Sequence, residues 1–97
     1  MTTFQETTNH YFEKLDLYTA AITRVHGKNH PEAFEVRDLF NTVKEKTTEA
    51  GSLQPDLEAE FAQLRVVTDN YTIPGDVCET YAAVYNMLSE TDQAYHA

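Results

Sequence analysis

Five side chains in this sequence of 97 residues could bind a metal or attack an electrophile: His10, His26, His30, His96 and Cys78. His10 and Glu13 form an i, i+3 pair, a spacing that suits a metal ligand pair or an ordinary solvated ion pair. Its neighbour Tyr11 belongs to an apolar seam, which puts His10 on the helix flank, where the solvated pair is the commoner use. His26 and His30 are four apart, but Gly27 and Pro31 place a turn between them, so the two-His clamp of a continuous helix does not apply. His96 falls in the terminal residues, where fraying is the default. Cys78 lies near the start of a helix, whose dipole lowers a thiol pKa. It also lies beside an apolar stripe, which favours a buried structural thiol over a reactive one. No Ser sits in a nucleophile elbow, no Gly-rich phosphate loop exists, and no two carboxylates are set apart as acid and base. No catalytic residue is assigned, and the reading leans away from an enzyme.

The elements that position these groups follow from the punctuation, because Pro favours the first turn of a helix and Gly the residue just past its end. Phe4, Thr8, Tyr11, Leu15, Tyr18, Ile22 and Val25 recur at helical spacing and predict a helix over about 3–26. Ala33, Val36, Phe40, Val43, Thr47 and Ala50 predict a second over about 31–50, between Pro31 and Gly51. Leu57, Phe61, Leu64, Thr68 and Tyr71 predict a third over about 55–71. Val77, Tyr81, Val84, Leu88, Thr91 and Tyr95 predict a fourth over about 74–95. Six Tyr and five Phe at seam spacing are core material first. Short connections leave consecutive helices antiparallel, so the expected fold is all-α: one up-down-up-down four-helix domain over 1–97.

Composition narrows the function classes. The 7 basic against 16 acidic residues give a net charge of −9. A surface of that sign repels phosphate backbones and anionic headgroups, so neither nucleic acid nor membrane is an expected partner. Residues 1–50 are nearly balanced and residues 51–97 strongly acidic, so a cation or basic partner is drawn to the second half. A surplus of Glu that only maintains solubility is the plainer alternative. One Cys excludes an internal disulfide framework, and no apolar run reaches the ~20 residues of a membrane span. With no signal-peptide pattern at the start, the expected location is the cytoplasm.

Two separated motifs carry a family resemblance. Val25-His26-Gly27-Lys28-Asn29-His30-Pro31-Glu32-Ala33, with Val36 and Leu39-Phe40, resembles the entry to the second helix of the hemerythrin-like iron–sulfur cluster repair di-iron (RIC) proteins. Leu64-Arg65, Thr68 and Tyr71-Thr72, then Pro74, Asp76, Cys78 and Thr80-Tyr81, with Tyr85 and Leu88, resemble the loop before that family's last helix. The resemblance covers roughly residues 20–96 and implies a hemerythrin-like bundle, iron as cofactor and His26 as an iron ligand. His30 and His10 are the remaining metal candidates.

Other family ligands have no counterpart. An early His-His pair in the first helix is not recognisable, no His falls in Thr47 to Gly51, and none stands near Leu53-Gln54. The chain closes on Ala94-Tyr95-His96-Ala97, short of the last ligand pair. A di-iron centre needs roughly five to seven His and Glu side chains from several helices. The sequence therefore reads as a shortened, metal-poor member, without a complete di-iron site in this chain alone. Two functions are expected of such a chain. One is a role in iron handling or in the response to oxidative or nitrosative stress, with iron bound weakly or completed by a protein partner or second copy. The other is a metal-free acidic interaction module. In either case the alternative for His26 is a helix-end imidazole placed at the negative end of the dipole.

Overall fold

The computed structural model describes residues 3–97. Four helices, α1 (Phe4–His26), α2 (Glu32–Ala50), α3 (Glu58–Val67) and α4 (Glu79–Tyr95), make up its regular structure, with no strand among the described residues. The expected all-α four-helix bundle is observed. The bundle is 38 Å long and 22 Å across, its length set by α1, whose 23 residues span roughly 35 Å. α1 packs against α2 and α4, and α3 packs against α2 and meets α4 through the Arg65–Asp92 ion pair and the Phe61–Tyr95 ring contact.

α1 starts with a side-chain N-cap. The Thr3 hydroxyl oxygen accepts from the Glu6 N–H at 3.1 Å, and its O–H donates to the Glu6 carboxylate. α2 ends at Gly51, whose φ of +62° is left-handed and costs a glycine little.

The last two helices begin later than the prolines predict. Pro55 is buried three residues before α3, because the Tyr95 hydroxyl donates to its carbonyl at 2.9 Å and accepts the Leu57 N–H at 2.9 Å. That tertiary pair holds 55–57 out of the helix. α3 stops at Val67 rather than near 71, since Asp69, Asn70 and Tyr71 have φ of 51°, 58° and 61°. Three consecutive left-handed residues cannot continue a right-handed helix, and each costs roughly 1–2 kcal/mol. Thr68 and Asp92 stabilise the reversal. The Thr68 hydroxyl accepts the Tyr71 N–H at 2.8 Å, and the Tyr71 hydroxyl donates to Asp92 at 2.7 Å. Pro74 opens a loop instead of α4, which starts at Glu79 after the extended Cys78.

The core runs from Phe4 and Tyr95 at one end, through Leu15, Phe40, Phe61, Leu64 and Leu88, to Ile22, Val36, Tyr81 and Tyr85. Burial follows the predicted seam with one clear exception. Val25 is 67% exposed, because the chain turns away at Gly27 before a fourth helix can cover it. Asp92 is the one buried carboxylate among the described residues. Burial pushes its carboxyl pKa up, but the Arg65 guanidinium, at 2.7 and 2.8 Å in a two-pronged contact, and the Tyr71 hydroxyl hold it below its ordinary value. On the outside, Asp16 of α1 joins Arg37 and Lys44 of α2 at 3.2 Å each.

These two ion pairs differ in what their loss leaves behind. Arg65→Met strands a buried carboxylate and lowers unfolding free energy by about 1–3 kcal/mol, discounted for the half-exposed guanidinium. Lys44→Met leaves a solvated Asp16 with Arg37 and costs under about 1 kcal/mol. Chemical denaturation of the two variants beside the parent chain measures the difference.

Candidate functional site

The α1–α2 turn and the loop before α4 meet at one end of the bundle. His26 is the last residue of α1, and its carbonyl accepts the N–H of Asn29 at 3.1 Å and of His30 at 2.7 Å. Gly27 is required between them: a Cβ there would stand 2.3 Å from the Thr23 carbonyl oxygen and 2.6 Å from the Phe34 ring. The tight turn sends the two imidazoles to different partners. His30 Nδ1 is 2.7 Å from Glu32 Oε1 and its Nε2 is 3.0 Å from Asp76 Oδ1. His26 Nε2 lies 3.2 Å from Cys78 Sγ. Both rings stand edge-on to Tyr81, with centroids at 5.4 and 5.6 Å. Tyr81 is fully buried; its hydroxyl lies 3.4 Å from Glu32 Oε1 and 3.3 Å from the Tyr85 hydroxyl.

This arrangement separates the three metal candidates. His26 and His30 come together, with ring centroids 6.3 Å apart. His10 is exposed against Tyr11, sixteen residues and about 24 Å up α1 from His26. His96, expected to fray, is held between Glu58 at 3.0 Å and Asp92 at 2.9 Å.

Cys78 departs from the expected buried thiol. It is exposed at the N-cap of α4, where the first-turn N–H groups have no helical partner. Its sulfur closes no regular cap hydrogen bond. The Tyr81 N–H, the His26 ring and the Thr80 N–H nevertheless lower the thiol pKa from 9.0 to about 7. The chemistry available at this end is that of a thiolate beside an imidazole. The helix-start position of Cys78 was a usable signal for it. The His26 contact was not, because it spans 52 residues of chain.

His30 positions the pair. Its two carboxylate partners belong to different segments, Glu32 in α2 and Asp76 in the loop, and both nitrogens can donate only when the ring is protonated. The Glu32 hydrogen bond first, then Asp76, raise its pKa above 6.5 against the opposing effect of burial.

The interior does not suit a di-iron centre. Such a site needs His and Glu projecting inward from several helices. Here the centre holds Leu15, Ile22, Val36, Phe40, Tyr81 and Tyr85, and no His is buried. The one buried carboxylate, Asp92, is spent on Arg65 and Tyr71. Among the described residues no three His, Cys, Asp or Glu side chains are grouped to hold a metal ion. No helix there is long and apolar enough to cross a membrane.

Sequence similarity to a known protein extends over nearly the whole chain, not only this end. The chain is similar to an iron–sulfur cluster repair protein. The relative is the iron-sulfur cluster repair protein ScdA of Staphylococcus haemolyticus (strain JCSC1435), 22% identical over 124 aligned positions. The match covers 96% of this chain and 56% of ScdA, so the chain spans a little over half the relative's length. The alignment is longer than the chain itself, so ScdA carries residues inside the matched region that this bundle lacks. No family model and no solved structure matches the chain.

Two titrations test the geometry of this end. Alkylation of Cys78 by iodoacetamide is expected to rise with a midpoint at about pH 7, and His26→Ala should shift that midpoint upward with helicity unchanged. A midpoint near 9.0 in both proteins would remove the His26 contact from solution. For His30, the folded pKa lies above the unfolded one. Its contribution to stability is therefore complete below pH 6.5 and disappears as pH rises through the raised folded value. Thermal unfolding across that range should show the loss in the parent chain, and Asp76→Asn should flatten it.

Proposed function

We propose that the chain serves iron–sulfur cluster repair as an accessory bundle without a di-iron centre of its own, acting with a partner protein after oxidative or nitrosative damage. The supporting observation is the similarity to ScdA along 96% of the chain, combined with an interior that offers no grouped donors. Sequence similarity kept over nearly the whole length, without grouped donors for a metal centre, supports a role carried by surfaces and by the His26, His30 and Cys78 end. Iron needed for repair is then held by the partner. His26, which the resemblance implies as a ligand, serves here to set the state of Cys78.

Two measurements test this reading. Cells lacking the chain should recover the activity of oxidant-damaged iron–sulfur enzymes more slowly than cells that carry it, and the chain alone should leave iron-supplemented cells with well below one iron per molecule. Equal recovery rates would defeat the repair role. Two irons per chain with oxo-bridge absorption would defeat the accessory role and restore the di-iron reading.

A further inference from the structure

The α2–α3 face carries an open apolar groove whose rim has the wrong charge balance for a finished surface. It is lined by Glu35, Asp38 and Leu39 from α2 and by Gln63, Val66 and Val67 from α3, and its volume is about 390 Å³. Val66 is 81% exposed, and Phe34, one turn before Asp38 on the same side of α2, is 53% exposed. Leu39 and Val67 pack partly against the core, while Val66 and much of Phe34 leave apolar surface to solvent.

The charges around it are unbalanced because the nearby cations are committed elsewhere. Arg37 and Lys44 share Asp16, Lys46 holds Glu60, and Arg65 holds Asp92. Those four are all the Lys and Arg from residue 31 onward. Glu35 and Asp38 have no cation among the described residues, and no basic side chain lines the groove. An occupant that brings apolar side chains and positive charge complements this face. A second copy brings −9 to a chain already at −9, which opposes pairing through this face. A groove between two packed helices accepts a third helix that seats an apolar stripe at i, i+3, i+4 and i+7.

We propose that the α2–α3 groove is the docking surface for a basic amphipathic helix of a partner protein, its apolar stripe on Leu39, Val66 and Val67 and its Lys or Arg residues against Glu35 and Asp38. This deepens the partner element of the repair reading. The test measures binding alone, so a chain that binds but does not speed recovery fails only the repair reading, and one that speeds recovery without binding fails only this one.

The probe is a synthetic 18-residue helix with a leucine stripe and lysines on its other faces, titrated into the isotope-labelled 97-residue chain and followed by amide NMR shifts. A matched peptide with glutamates in place of the lysines is the control. The lysine peptide is expected to shift the amides of Leu39, Gln63, Val66 and Val67 in a saturable way. Glu35→Lys with Asp38→Lys should weaken it by about tenfold or more. Val66→Ser, an exposed position that leaves the core intact, should weaken it several-fold with an unchanged circular dichroism spectrum. Shifts centred on any other face, equal binding of the glutamate peptide, indifference to both variants, or self-association of the chain through this groove would each overturn the proposal.

Discussion

One imidazole joins the two halves of the functional end. His30 stands at the head of α2, and its contacts to Glu32 and Asp76 pull the loop before α4 against the α1–α2 turn. Without that bridge nothing polar on this face ties residues 74–78 to the turn except the His26 to Cys78 contact itself. The bridge works because its parts have unequal freedom. Glu32 is the first residue of α2, and its oxygen also faces the buried Tyr81 hydroxyl, so it is the fixed member. Asp76 is an exposed loop residue and is the member that is captured. The placement of Cys78 is thus a consequence of charge pairing two residues earlier, more than of the helix it caps.

The same Tyr81 also fills part of the bundle interior. In a bundle of this kind the central layer must be filled, whether by inward donors around an ion or by side-chain volume. Here Tyr81 and Tyr85, both fully buried, fill the interior toward the His26–His30 end and meet through their hydroxyls at 3.3 Å. Burial raises both phenol pKa values, so the pair stays neutral and contributes hydrogen bonds without the cost of a buried charge. The aromatic rings then extend outward as a surface on which His26 and His30 stand edge-on. Tyr81 thus belongs both to the filled interior and to the histidine turn.

Much of this was legible in the sequence, and what was not has a common cause. α1 and α2 were readable to within a residue because local chemistry closes them: Thr3 with Glu6 at one start, Gly27 and Gly51 at the two ends. α3 and α4 were overextended because their limits are tertiary. Tyr95, forty residues away, holds Pro55 and Leu57, and Asp92 anchors Tyr71 beyond a left-handed run. Apolar spacing continues through such segments because Leu57 and Thr68 are still buried, so periodicity alone cannot see where the helix stops. The site divides the same way. The turn carrying His26 and His30 was recognisable as a motif, whereas Asp76 and the exposed state of Cys78 depend on contacts across 46 and 52 residues.

The acidity of the chain takes on a more specific meaning once its ion pairs are placed. A uniform surplus of carboxylates would serve solubility and nothing else. In this bundle Asp16, Glu60 and Asp92 absorb the cations of α2 and α3, and each of those pairs fixes one helix against another. The acids left over are therefore those on outward faces, and on the α2–α3 side they flank exposed valine and phenylalanine. Charge that only kept the protein dissolved would have no reason to be segregated from its counter-ions beside an apolar strip. The segregation follows from using the few available cations internally, and it leaves a face that is both apolar and acidic.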